Sequence, residues 1–365
     1  MAVPERKGGA GGDVLAVALV IEEFAKACAS TAMSFHMHLS TVPLVAALVS
    51  EEQEGRLLGP ILRGEWLGAI AMSEPASGSR VWHTESFAQR TEDGYQFSAM
   101  KSFVTNAGIA DYYVVPVRTH QHAKPDEISL FMLEASQHVI APLAPWDAMG
   151  LRGTSSSPIR FEGVRVTEAQ RIGRESIGFP MIVCFNLPIY HVGLSAVYLG
   201  VAEAAVTAAV AYAKQRVHID TGAALASVET VQRYLGEMRV AVDQTRALLH
   251  RVARLVDRAS KVMMEISAAG VLEDIVDRLM KEDDFFVEVA ALKASATATV
   301  ELVTSHALHI CGGLGYKKGQ LVERLYRDAR AAALMAPSDD AIKVLIGKQL
   351  LGYPFPWEDV GKKGQ

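Results

Sequence analysis

Two short stretches place hydroxyls, amides and an aromatic ring where strands break into turns. Met72-Ser73-Glu74-Pro75-Ala76-Ser77-Gly78-Ser79 offers small hydroxyls and exposed turn amides, a surface suited to hydrogen-bonding a polar ring edge or a phosphate. Lys101-Ser102-Phe103-Val104-Thr105-Asn106 ends a strand with an aromatic and a hydroxyl before a Gly-containing turn. A third stretch, Cys311-Gly312-Gly313-Leu314-Gly315-Tyr316, is the densest glycine cluster of the second half. It ends a helical pattern instead of following a strand, which argues against a dinucleotide fingerprint and for a helix C-cap. Taken singly, each stretch reads as ordinary turn or cap chemistry. No phosphate loop, zinc helix, Cys-x-x-Cys or Gly-x-Ser-x-Gly elbow occurs, and Cys28, Cys184 and Cys311 are too few and too scattered for a metal site or a disulfide framework.

The elements that must position these stretches follow an α, then β, then α order. Residues 13–30 carry apolar side chains at intervals of three and four behind a candidate N-cap, Asp13, and residues 43–58 continue a helical pattern. From Trp66 to Val166 the apolar residues fall into short strand-like clusters punctuated by turn formers, which predicts a small barrel or sandwich. Long helices then take over: residues 192–215, a stripe from Val231 to Val256, residues 284–310, and a further helix from Ser338. Several long helices in the last half predict an antiparallel bundle. The 365 residues, half of them apolar, are ample for such cores. A net charge of -5 with scattered Lys and Arg excludes nucleic acid as a first guess, and the apolar runs read as too short or too broken to span a bilayer. No secretory signal is apparent, so a cytoplasmic location is expected.

In order and spacing, these stretches resemble the landmarks of the acyl-CoA dehydrogenase family. The start Val3 to Gly11, Ser73-Glu74-Pro75, Phe103-Val104-Thr105-Asn106, Met149-Gly150-Leu151-Arg152-Gly153-Thr154, the Cys311 to Tyr316 cluster and Glu323-Arg324-Leu325-Tyr326-Arg327-Asp328-Ala329-Arg330 occur in family order over nearly the whole chain. The resemblance implies an α+β fold: a shortened N-terminal helical domain (1–66), a middle β-barrel (67–176) and a C-terminal four-helix bundle (177–365). It implies bound FAD and no metal. A homodimer or homotetramer is expected, in which a neighbour completes the FAD site. The implied substrate is a coenzyme A or acyl carrier protein thioester, in a specialised pathway, with an unnamed electron acceptor. By position, Met72 and Ser73 would meet the flavin ring, Ser79 would lie near flavin phosphate or substrate, and Phe103, Val104 and Thr105 would flank the isoalloxazine. Arg216, followed by Gln232, would reach the adenosine diphosphate half of a neighbour's FAD, as would Gly312 and Gly313. A guanidinium matched to a pyrophosphate gives Arg216 its physical sense; an ordinary helix-end cation is the competing one.

The resemblance breaks at the base. The family reaction removes a proton beside a thioester while a hydride leaves the adjacent carbon, so a positioned carboxylate is needed. The position most members give to that Glu is Ala336 here, and the alternative position, counted back from Arg216, is Tyr190. The remaining candidates are Tyr190 itself, His191 and Asp340. Asp339 and Asp340 follow Ser338 as a helix N-terminus prefers, so capping competes with catalysis. His36 and His38 fall near a loop that borders the acyl pocket in the family. Arg80 replaces an acidic residue after Ser79, and Ile219-Asp220 replaces Phe-Gly after Arg216. The chain also begins at the Pro-Glu-x-x-Gly-Gly landmark, so the first family helices are expected to be missing, through a misassigned start or a pared-down domain. The first expectation is an acyl-CoA dehydrogenase-like flavoprotein that oxidises a small acyl thioester with an unusual base. The alternatives are a flavin monooxygenase of the same fold and a catalytically silent FAD-binding subunit.

Overall fold

The computed structural model of the chain describes residues 3–78, 80, 83–138, 140–268 and 284–355. Asp13 opens α1 (Val14–Ala27), its carboxylate accepting the Ala16 N–H at 2.6 Å, and Val14, Val17, Ala18 and Ile21 bury one face. After one extended residue, Cys28, α2 (Ala29–Leu48) carries both His36 and His38, which therefore sit on a helix and not on a loop. Ser, Thr and His interleave with its apolar positions and hide the period; Ser40 and Thr41 satisfy their hydroxyls on the Met37 and His38 carbonyls of the preceding turn. The expected helix over 43–58 is broken at Val49. Ser50 and Gln53 then form a capping box that starts α3 (Glu51–Gln53), continued by a π turn (Glu54–Leu58) and α4 (Gly59–Leu62).

Seven strands follow: β1 (Gly68–Ile70), β2 (Ala88–Thr91), β3 (Gly94–Val104), β4 (Tyr112–Arg118), β5 (Ile128–Glu134), β6 (Ser157–Thr167) and β7 (Arg171–Ile172). They make two open sheets, ordered β1-β4-β5-β7 and β2-β3-β6, with only β1 and β4 parallel. The expected closed barrel is thus corrected to two facing sheets among the described residues. After β1 the chain runs into a turn over residues 75–78, and beside it the Ser102 N–H to Ser73 carbonyl bond (2.8 Å) joins this segment to β3 where no ladder forms. Side chains of β4 and β5 alternate between two cores: Tyr113, Val115, Val117, Phe131 and Leu133 face the other sheet, while Tyr112, Val114, Leu130 and Met132 face the helices. Burial on both faces explains their unbroken apolar runs.

The second half begins with α5 (Gly178–Met181) and a π turn (Ile182–Asn186), leading into α6 (Leu187–Gln215). Then come α7 (Glu229–Ala268), α8 (Phe285–Tyr316), α9 (Leu321–Ala329) and α10 (Asp339–Leu350). Between Gly178 and Gln215 the helix is long and apolar enough to cross a membrane by length and composition, but 72% of that window is buried inside the protein. Its apolarity is that of a central core helix. α6 touches α7 and α8, and also α1 and α2, while α10 lies on α8. α6 is apolar nearly all round, so the N-terminal helices α1 and α2 are needed to cover it beside its contacts within the C-terminal helical region. One continuous core runs from Val3 to Phe355, through both helical regions and onto one face of the four-stranded sheet.

Candidate functional site

The first two chemical stretches lie side by side, and a buried ion pair holds them there. Lys101 points inward from β3 with its Nζ 2.8 Å from Glu74 Oε1 and 2.7 Å from the Pro116 carbonyl. The two side chains are 0% and 3% exposed. Glu74 also accepts the backbone N–H groups of Glu85 (2.6 Å) and Ser86 (3.1 Å) and the Ser86 hydroxyl. Burial alone would raise its carboxyl pKa; Lys101, Ser86 and the backbone donors together hold it below the usual carboxylate range. Met72 and Ser73, just before Glu74, are half-buried and fixed against β3. Sequence reasoning passed over Lys101 as a structural device. The signal was its place in the inward Tyr95, Phe97, Ala99, Lys101 alternation, where a charge demands a buried partner.

The end of β3 is tied down just as tightly. Val104 is buried, and the Thr105 hydroxyl bonds the Ser156 hydroxyl at 2.8 Å, which in turn bonds Thr154 Oγ1 at 2.7 Å. Asn106, at φ 68°, sends its amide nitrogen to the carbonyls of Ser34 (3.1 Å) and Gly68 (3.2 Å), stitching the strand end to α2 and β1. Phe103 is 66% exposed and meets Trp146 edge-on at 6.5 Å. Exposed Phe103, half-buried Trp146 and half-buried Met72 lie on segments joined by the Ser102 N–H to Ser73 carbonyl bond, an apolar shelf beside the hydroxyl of Ser73 that suits one face of a flat heteroaromatic ring.

The Met149–Thr154 and Glu323–Arg330 landmarks close against each other. Asp328 accepts the Leu151 N–H at 2.7 Å, and Arg327 donates to the Met149 carbonyl at 2.8 Å. Gly150 sits so close to the Arg327 backbone that an added Cβ would overlap it. Gly150→Ala should therefore cost about 1–3 kcal/mol. Thermal unfolding with and without added FAD would show it; an unchanged midpoint would mean that the loop yields freely.

Arg216, Gln232, Gly312 and Gly313 lie elsewhere, at the end of α6, in the first turn of α7 and near the end of α8. Arg216 caps the C-terminus of α6, about 39 Å along that helix from Tyr190 at about 1.5 Å per residue. Gln232 opens α7, whose Tyr234 lies 4.5 Å from His306 and 6.1 Å from His309 near the end of α8. Gly312 kinks α8 with φ 56°, although the helix continues to Tyr316, and both glycines have open space where a Cβ would stand. All four residues are exposed. Ser79, named above as a phosphate or substrate contact, lies outside the described residues.

The candidate bases scatter. Asp340 is exposed on the first turn of α10, and Ser338 caps that helix by accepting the Ala341 N–H. Asp339 is buried and bound to Lys293 at 2.6 Å and to the Thr297 hydroxyl at 3.1 Å. Ion pairing thus accounts for Asp339, while Asp340 stands apart from the other candidates in the first turn of α10. Tyr190, partly buried, and His191, 3% exposed, stand at the start of α6, where Tyr190 stacks on His36 at 5.6 Å. Burial, with Lys293 nearby, depresses the His191 imidazole to about 3, so it is neutral at physiological pH. Two turns further along the same face, Tyr198 donates to Met335 Sδ at 3.4 Å, beside half-buried Ala336.

Comparison with known proteins identifies the class. Family models for the N-terminal, middle and C-terminal domains of acyl-CoA dehydrogenase match residues 1–65, 69–164 and 186–351. An acyl-CoA dehydrogenase of Bacillus subtilis (strain 168) is 32% identical over 352 residues, spanning 96% of this chain and 86% of its own. The structure of butyryl-CoA dehydrogenase from Megasphaera elsdenii superposes with a TM-score of 0.84 at 28% identity, covering 95% of this chain and 85% of that one. The prolyl acyl carrier protein oxidase AnaB, at 23% identity and a TM-score of 0.81 over 95% and 86% of the two chains, shares the fold. The chain belongs to the acyl-CoA dehydrogenase family. It is a flavoprotein oxidoreductase of that family, and its cofactor is FAD.

Proposed function

We propose that this protein oxidises a small acyl thioester, carried by coenzyme A or an acyl carrier protein, with a base other than the usual glutamate. The observation that carries this reading is the adjoining shelf of Met72, Ser73, Phe103 and Thr105, held by Glu74, Lys101 and Asn106. FAD, when bound, supplies the hydride acceptor, and the substrate loses a proton and a hydride from adjacent atoms. Phe103 and Val104 would flank the ring and exclude water, while Ser73 and Thr105 would orient its polar edge. Arg216, Gln232, Gly312 and Gly313 would serve a second copy's FAD from the far end of α6, so a homodimer or homotetramer is part of the proposal. The filled space between α2 and α6, occupied by His36, Tyr190 and His191, favours a short acyl group. Of the candidates for that base, Tyr190 and His191 stand together at the start of α6 and Asp340 stands apart on α10; domain boundaries fall at 66 and 176. A prolyl carrier-protein oxidase with the same fold supports the carrier-protein arm of the reading.

Anaerobic titration of the FAD-loaded protein with short-chain coenzyme A and carrier-protein thioesters tests this. Bleaching of the flavin absorbance by at least one of them is expected; bleaching by none would overturn the reading. Ala336, which cannot take a proton, also favours a flavin monooxygenase of the same fold. Oxygen consumption with a hydroxylated product would select that alternative.

A further inference from the structure

A chain of three buried hydroxyls backs the end of β3. Thr154 Oγ1 lies 2.9 Å from the Leu151 carbonyl and 2.7 Å from Ser156 Oγ, which in turn lies 2.8 Å from Thr105 Oγ1. Thr154, Ser156 and Thr105 are 1%, 8% and 5% exposed, so they serve one another in place of water. Each hydroxyl has one hydrogen to give, and a carbonyl oxygen only accepts. Making all three bonds therefore fixes every direction: Thr154 donates to Leu151, Ser156 donates to Thr154, and Thr105 donates to Ser156. Reversing the chain would forfeit the Thr154 hydroxyl bond to the carbonyl. That carbonyl also accepts the Thr154 N–H at 3.2 Å and the Trp146 indole N–H at 2.9 Å, and Trp146 meets Phe103, so the chain is anchored at the apolar shelf itself.

The consequence falls on Thr105, which follows exposed Phe103 by two residues and so stands on the same side of the strand end. With its hydrogen held by Ser156, the Thr105 oxygen offers only lone pairs to that side. A flavin ring has a bare, accepting nitrogen at N5 when oxidised and an N–H there when reduced by two electrons. We propose that Ser156, itself held by Thr154, is a positioning residue that keeps the Thr105 hydroxyl an acceptor, so that it pairs with the reduced ring and raises the reduction potential of bound FAD. Hydrogen bonds near N5 are one of the means by which a protein tunes a flavin, and here the tuning is set two hydroxyls away from the ring. The proposal rests on the placement of Thr105 at the ring's polar edge in the reading above.

Reduction potentials of the FAD-loaded protein, titrated anaerobically against reference dyes with no thioester present, test this. Ser156→Ala frees the Thr105 hydrogen to turn toward the oxidised ring, and should lower the two-electron potential by about 30 mV, a tenfold change in the reduction equilibrium. Thr154→Val lets the chain reverse and should lower it in the same direction. Ser156→Thr keeps the hydroxyl and should hold that equilibrium within about twofold of the wild type. Thr105→Val, which removes the acceptor altogether, should also lower the potential. An unchanged or raised potential in Ser156→Ala, with a lowered one in Thr105→Val, overturns the role of Ser156 and leaves the placement of the ring standing. No shift in Thr105→Val overturns both. Should Ser156→Ala not hold FAD, the wild type loaded with FAD carrying 15N at N5 serves instead. The oxidised resonance must sit where a ring nitrogen without a hydrogen bond does, and an upfield shift toward a hydrogen-bonded nitrogen overturns the proposal.

Discussion

Lowering the pH from about 7.5 to about 5 should strip this protein of roughly 4 kcal/mol of stability through two side chains alone. His36 and His191 are both fully packed, and burial depresses each to about 3 against an ordinary 6.5. The unfolded chain therefore binds protons that the folded one refuses. Above pH 6.5 neither state is protonated and nothing is lost; between about 6.5 and 3 the unfolded state gains, and the penalty grows as pH falls. At pH 5 it is about 2 kcal/mol for each ring. Lys293, whose ammonium faces His191, and the mutual repulsion of the two imidazoles act in the same direction. A loss of that size is a large share of a typical folding free energy. Urea midpoints at the two pH values would measure it, and a His36→Phe, His191→Leu double variant should flatten the dependence. An equally steep slope in the double variant would place the acid sensitivity elsewhere.

Lys101→Met should destabilise the protein by about 3–5 kcal/mol and weaken FAD retention with it. The substitution leaves the Glu74 carboxylate buried without its cation, though still bound to Ser86 and two backbone amides. A buried charge that loses its partner is far costlier than a pair replaced whole. The double change Glu74→Gln, Lys101→Met should therefore recover most of the loss, since the amide oxygen can still accept the Glu85 and Ser86 N–H groups while its NH2 donates to the Ser86 hydroxyl. Thermal unfolding and the flavin content of the purified protein give the two readouts. If Lys101→Met and the double variant were equally unstable, the pair would not be what fixes the turn.

Much of this was legible in the residues themselves. The stripe from Val231 to Val256 does lie on one helix, although α7 is longer than the stripe at both ends. Asp13 and Ser338 act as the caps their positions suggest. What hid were features set by tertiary partners. α2 escaped notice because its polar residues are satisfied within the helix or on β1, and the break at Val49 depends on a capping box that outweighs a continuing apolar pattern. The barrel expectation failed at a sheet edge, which no local pattern encodes. At the site, Ser73 and Phe103 lie on adjoining segments joined by the Ser102 N–H to Ser73 carbonyl bond, an adjacency set by strand placement, and Asp340 is exposed on α10.

The core that runs from Val3 to Phe355 also limits how the protein can be divided. Three domain models match three consecutive stretches of chain, which invites expressing them as separate pieces. Yet α6 needs α1 and α2 as its cover, and the four-stranded sheet needs the helices on one face and the β2-β3-β6 sheet on the other. Any cut at a family boundary exposes an apolar face meant for a segment at the opposite end of the chain, and such faces aggregate. During synthesis the first helices must likewise wait for partners made much later, so chaperone dependence in the cell follows from the same geometry. Splitting the chain between modules breaks that arrangement.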